Sequence, residues 1–286
     1  MYGRVLLLVL LGAAQLLPAH SDVAAPVLDR QQALTISQAA IGRVLDDVVL
    51  HDTRGAVSLN HLRGKPLVLS FVYSSCFHTC PVTTSFLHKV VRIAREALGE
   101  ESFNVATVGF DVPTDSAARM AEFARQHGID DPGWVFLSGD QPTIDALTQA
   151  VGFQFFPSPR GFDHLVQATL LDAEGRVYRQ VYGETFETPA LVEPLKALLI
   201  GGRSQPGVLA DWVNDVRLFC TIYDPGSGRY EFDYSVLVAA AVGVLCLGGI
   251  AVWLVQAWRE TSRSDARRRA AGRTAARSFK PRGRFS

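Results

Sequence analysis

The 286-residue chain predicts an α/β domain with helices on both faces of one sheet, followed by a single membrane-spanning helix. Two observations lead there. Apolar, strand-like runs alternate with helix-like periods between residues 45 and 200, without any internal repeat. Residues 236–255, "VLVAAAVGVLCLGGIAVWLV", are apolar or small throughout.

Residues 1–21 place one arginine ahead of an apolar stretch and then small residues, the layout of a secretory signal, with Ala19 and Ser21 suited to its cleavage site. Gln15 and Pro18 interrupt the apolar stretch, which argues against a retained anchor. Residues 22–44 form an irregular lead-in with a short helical pattern around "DRQQALTISQAAIGRVL". Next come a short hairpin in "VVLHDTRGAVSL" and a strand from Pro66 to Tyr73, too apolar to have a solvent face. A helix enters at Pro81, a residue favoured in a first turn, with Phe86, Val90, Ile93 and Leu98 at helical spacing. "FNVATVGFDV" is a second buried strand, and Thr114 to His127 a second helix opened by Thr114 or Asp115 as cap. "WVFLSG" and "QPTIDALTQAVG" give a third strand and helix. "HLVQATLLDAEGRVYRQVYG" reads as two alternating strands joined by a turn at Asp172 to Gly175, before a last helix from Thr188 to Ile200.

The apolar run from Val236 is long enough, at ~1.5 Å per residue, to cross the ~30 Å hydrocarbon core. Tyr230, Tyr234, Trp253 and Trp258 lie near its ends, where amphipathic rings favour the headgroup level. Overall neutrality hides an asymmetry. After Trp258 there are ten Lys/Arg against two Asp/Glu, a net +8, whereas Asp22 to Asp233 carries seventeen against twenty-six, a net −9. Basic flanks stay on the cytoplasmic side, so the expectation is a bacterial inner-membrane protein with its large domain in the periplasm and its C-terminus inside. The basic tail then meets the inner leaflet, and no nucleic-acid partner is expected. The resulting division is 1–21 signal, 22–44 lead-in, 45–200 folded domain, 201–234 extension, 235–258 span and 259–286 tail.

Outside the span the exported part carries only Cys76, Cys80 and Cys220, too few for a disulfide-stapled scaffold. The core must be hydrophobic, and the close pair in "FVYSSCFHTCPVTTSF" is available for chemistry. Cysteines just after the first long strand, at the start of its helix, in this order of elements indicate a thioredoxin-like fold. A helix N-terminus stabilises thiolate. If the chain is already helical at Cys76, the pair shares one helix face and one soft ion can touch both sulfurs. If "FHT" is a loop, the pair can still close into a disulfide. The spacing allows both. As further donors, His164 follows the apolar loop "GFQFFPSPRGFD" and starts a hairpin strand, Asp111 ends the second strand, and His78 lies between the cysteines. His51, His61, His88 and His127 read as surface or capping residues. Cys220 reads as a buried apolar residue, with approach to the site as the alternative.

Three separated stretches, "FVYSSCFHTCP", "GFDVPTD" and "FDHLVQATLLDAEGRV", resemble in order and separation the Sco/SenC family of copper proteins that assist cytochrome c oxidase assembly. The resemblance spans about Leu45 to Ile200. It implies copper, as Cu(I) or Cu(II), held by Cys76, Cys80 and His164, with Asp111 behind them and His78 a weaker candidate. It also implies a membrane-anchored metallochaperone, not an enzyme, whose partner is the exported copper-binding part of oxidase subunit II. The alternative is a thiol-disulfide oxidoreductase that reduces the recipient's cysteines, with Cys76 and Cys80 as its redox pair and Cys76 attacking. Such a dithiol needs a reductant in an oxidising compartment.

Overall fold

A computed structural model describes residues 28–77, 79–201, 218 and 221–278. The chain divides into two compact units, Met1–Arg203 and Ser204–Ser286.

Among the described residues of the first unit the earliest element is helix α1 (Arg30–Gln38), where a helical pattern lies inside the expected irregular lead-in. The Asp29 side chain caps it, accepting from the N–H groups of Gln31 and Gln32. Strands β1 (Val49–Asp52) and β2 (Gly55–Ser58) make the anticipated hairpin, and a 3₁₀ turn (Leu59–Leu62) follows. Then come β3 (Leu67–Val72), α2 (Thr79–Leu98), β4 (Asn104–Gly109), α3 (Ala117–Gln126), β5 (Trp134–Leu137) and α4 (Gln141–Val151). A small hairpin, β6 (Phe155–Ser158) and β7 (Gly161–His164), precedes β8 (Gln167–Leu171), β9 (Val177–Tyr182) and α5 (Thr188–Gly201).

The main sheet has the order β5-β4-β3-β8-β9. β3, β4 and β5 run parallel, while β8 and β9 are antiparallel to their neighbours. All six residues of the central β3 are buried, as its almost wholly apolar sequence suits a strand covered on both faces, with the Ser70 hydroxyl paired to that of Thr107. This is the thioredoxin-like α/β arrangement that the order of elements predicts.

Three local readings differ from expectation. Helix α3 is capped by Ser116, whose hydroxyl accepts from the Arg119 N–H, and not by Thr114 or Asp115. Asp115 is buried and its carboxylate is engaged elsewhere. β8 alternates in polarity but is buried throughout. Its polar face lies under α1 and the end of α4: Ser37 donates to Gln167, Thr169 donates to Gln180, and Gln180 donates to the Val151 carbonyl. Polar residues there satisfy one another instead of facing water, which is why alternation misleads. Finally, the loop before His164 is the β6–β7 hairpin, so His164 ends β7 instead of starting the next strand.

In the second unit, β10 (Thr221–Asp224) and β11 (Arg229–Phe232) pair antiparallel. They are followed by the long helix α6 (Ser235–Ser278). Within it Val238–Arg259 is long and apolar enough to cross a membrane. Its apolar side chains are exposed, among them Leu245, Leu247 and Trp253, as a lipid-facing helix demands. The signal at 1–21, Cys220 and most of the extension lie outside the described residues.

Candidate metal centre

Strand β3 ends at Val72 and the chain turns at once, the Cys76 N–H donating to the Tyr73 carbonyl at 3.1 Å. Helix α2 starts at Thr79, two residues before Pro81. Cys76 therefore precedes the helix and Cys80 sits in its first turn, a loop-then-helix geometry among those the spacing allows. His78 lies outside the described residues. The Cys80 N–H donates to the Cys76 sulfur at 3.3 Å. That sulfur thus occupies the place of the side-chain oxygen that ordinarily caps a helix N-terminus. The two side chains are thiols, Cys76 half-buried and Cys80 buried.

The electrostatics divide the pair. A hydrogen bond to Cys76, then burial, push the Cys80 thiol well above its ordinary range. Burial, followed by a hydrogen bond to Cys76, does the same to the Tyr73 phenol. Protons in this pocket stay on Cys80 and Tyr73 until something displaces them.

His164 is held in an aromatic surround drawn from three parts of the chain. Its ring lies 5.5 Å from Phe153, 5.6 Å from Phe110 and 6.1 Å from Tyr73. Nδ1 is 2.9 Å from the Leu165 carbonyl, which only an N–H can satisfy, so the lone pair of the neutral ring is on Nε2. Burial pulls the imidazole below its ordinary range, partly opposed by the Leu165 hydrogen bond and by Cys76. At neutral pH the ring is thus a neutral nitrogen donor fixed in orientation, the usual preparation of a metal-ligating histidine.

Asp111, the acidic candidate, is linked to a second acid. Asp111 lies two positions beyond β4, and its own N–H donates to the Asp115 carboxylate at 2.9 Å. The other Asp115 oxygen accepts the Ser74 N–H at 2.8 Å, reaching into the cysteine loop. Burial pushes the Asp115 carboxyl up, against the pull of these hydrogen bonds. Sequence reading saw Asp115 only as a helix cap, because nothing local marks an acid that folds inward.

The remaining histidines have other surroundings. His127 Nδ1 is 2.7 Å from the Phe123 carbonyl at the end of α3, and His88 packs edge-on against Trp134. His51 lies on β1, and its backbone pairs with Ser138 beside β5.

Cys80 and His164 line one cleft between α2 and β8, together with Ser70, Thr84 and Gln167. Cys76 is near enough to both to shift their titration. Among the described residues, no three His, Cys, Asp or Glu side chains converge closely enough to enclose an ion. The two sulfurs and the imidazole are thus neighbours and not a closed cage. Two sulfurs with one imidazole nitrogen are a donor set suited to copper or zinc, and two adjacent thiols equally allow disulfide exchange.

Comparison with known proteins gives the family of the chain. The SCO1 protein homolog of Bacillus subtilis (strain 168) is 23% identical over 133 residues, 44% of this chain and 67% of that protein. A crystal structure from Aquifex aeolicus VF5 is similar at 30% identity, covering 56% of this chain and 95% of that one, with a TM-score of 0.51. A SCO1/SenC family lipoprotein from Bacillus anthracis str. Ames shares the fold at 20% identity over 55% of this chain and 95% of that one, with a TM-score of 0.50. The family model described as SCO1/SenC matches residues 42–199, more than half of the sequence, and the chain belongs to the SCO1/SenC family.

Proposed function

We propose that this protein is a membrane-tethered copper carrier that takes its ion on Cys76, Cys80 and His164 and passes it to the exported copper site of cytochrome c oxidase, on subunit II. The observation that carries this reading is a single imidazole nitrogen, fixed by the Leu165 carbonyl, in the same cleft as Cys80. Such a nitrogen is suited to complete a metal's donor set beside the sulfurs.

Copper is the cargo. As Cu(I) arrives, sulfur–metal bonds replace the two S–H bonds, and the Cys76 and Cys80 protons leave to solvent. The half-buried Cys76 is the sulfur an incoming ligand reaches first, so transfer proceeds by exchange of one donor at a time and releases no bare ion. Thiolates favour Cu(I), while the imidazole extends the set to Cu(II). The helix from Val238 anchors the domain, and the basic residues after it hold the C-terminus on the cytoplasmic face, leaving residues 45–200 in the periplasm.

One observation favours the second reading, thiol-disulfide exchange. The sulfurs are unequal in access, Cys76 half-buried and Cys80 buried, which is the layout of an attacking and a resolving thiol.

The test is anaerobic Cu(I) affinity of the detergent-solubilised chain beside its Cys76→Ser and His164→Ala variants. One ion per chain, lost in Cys76→Ser and weakened about tenfold or more in His164→Ala with the disulfide still reducible, supports the carrier. Binding indifferent to His164 supports exchange instead.

A further inference from the structure

Asp115 occupies an unusual position for an acid. It is 2% exposed, and among the described residues no Lys or Arg forms an ion pair with it. A buried carboxylate without a cation is costly unless N–H groups replace its water. Here two do: Ser74 N–H on Oδ1 at 2.8 Å and Asp111 N–H on Oδ2 at 2.9 Å.

These donors belong to different parts of the chain. Ser74 is in the loop leaving β3, two residues before Cys76, and Asp111 is in the loop leaving β4. The backbone turns Asp115 inward through its own N–H, which donates to the Asp111 carbonyl at 2.8 Å. Space for the side chain comes from Gly109, the last residue of β4. A Cβ there would stand 2.5 Å from the Asp115 Cβ and 2.7 Å from the Met120 sulfur. Gly109 thus leaves room for an acid behind the cysteines.

We infer that Asp115 is the positioning residue of the dithiol: its carboxylate ties the Cys76 loop to the exit of β4 and so sets where the Cys76 sulfur stands relative to Cys80. Two points support this role. The loop from Tyr73 to Cys76 has one internal backbone bond, Cys76 N–H to the Tyr73 carbonyl, and the carboxylate supplies a link from it to β4. Cys80 sits in the first turn of α2 and its N–H donates to the Cys76 sulfur, so the separation of the sulfurs depends on where the loop holds Cys76. The inference rests on the carrier reading only for its affinity measurement, since positioning the pair matters equally for disulfide exchange.

The experiment uses the full chain in detergent and compares wild type, Asp115→Asn and Ser116→Ala. Asn keeps one carbonyl oxygen but presents an amide N–H toward the second donor, releasing one of the two loops. The expected result is a roughly tenfold faster alkylation of Cys76 by iodoacetamide and a loss of Cu(I) affinity of about tenfold. Ser116→Ala removes the neighbouring helix cap, and is expected to lower thermal stability while leaving both readouts at wild-type values. Wild-type alkylation in Asp115→Asn overturns the inference, as does an equal response in Ser116→Ala. If Asp115→Asn fails to melt cooperatively, amide hydrogen exchange on the wild-type chain decides: slow exchange at both Ser74 and Asp111 supports the tie, and exchange at open-loop rates overturns it. A wild-type chain that binds no copper, but whose Cys76 alkylation still responds to Asp115→Asn, removes the carrier reading and leaves the positioning role standing.

Discussion

Phe110→Ala tests whether the surround of His164 is a packed structure or a loose contact. Phe110 is 1% exposed and is the common member of the aromatic group. Its ring centroid lies 4.6 Å from Phe155, 5.3 Å from Phe162, 5.4 Å from Tyr73 and from Phe153, and 5.6 Å from His164. Truncating a buried phenylalanine costs about 3–5 kcal/mol, the upper part applying where neighbours cannot collapse into the gap. Here they are held by β3, by the β6–β7 hairpin and by the Leu165 hydrogen bond, so we expect about 4–5 kcal/mol. For a domain of this size that lowers the melting temperature by roughly 8–20 °C. The assay is denaturant unfolding of the metal-free chain in detergent, followed by near-ultraviolet circular dichroism, which reports the aromatic packing itself. Cu(I) affinity, measured in parallel, is expected to fall less than in His164→Ala, because the imidazole keeps its Leu165 partner and its other ring contacts. A stability loss below about 1 kcal/mol would refute the packing argument, since so small a cost fits only a site that is already loose.

Copper affinity should rise with pH through neutrality, by about one logarithmic unit per pH unit for each thiol proton displaced, because the Cys80 thiol is protonated there and must lose its proton to bind. An affinity flat between pH 6 and 8, roughly the range in question, would contradict that. In stability the sign for His164 runs the other way from a salt-bridged histidine. Its folded value is lowered by burial, so the unfolded chain binds more protons and stability falls as pH drops below the ordinary imidazole value of about 6.5. His164→Leu should flatten that part of the pH–stability curve, and an unchanged slope would show that the ring is not buried neutral. Gly152→Ala should destabilise by more than about 1 kcal/mol in thermal unfolding: Gly152 ends α4 at φ 68°, and a Cβ there would lie 2.7 Å from the Ile36 carbonyl oxygen in α1. A neutral result would mean that α1 can move off the sheet.

Much of the fold was legible because the signals are local. A short, almost wholly apolar run such as Leu67–Val72 fits a covered strand, and the 3.6-residue period of α2 follows from residues that stand within a few turns of one another. What misled was context. The alternation of β8 looks like a solvated face because polarity along the chain does not say whether Ser37 and Gln180 are waiting above it. The β6–β7 hairpin looks like a loop because "FFPSPRGF" combines turn-forming residues with apolar ones, and only pairing to β7 gives it strand form.

The sequence by itself determined the α/β order, the cysteine pair at a strand-to-helix junction, the membrane-length apolar helix and, through three separated motifs, the Sco/SenC family. Each is encoded in neighbouring residues or in the order of segments. Tertiary structure alone decided that Cys80 is buried and Cys76 is not, that His164 offers Nε2, and that the Asp115 carboxylate accepts from the Ser74 N–H in the cysteine loop. Burial, the choice of nitrogen and the partners of a carboxylate depend on atoms far away in the chain. Such contacts exist only once β3, β4 and the β6–β7 hairpin have been brought together.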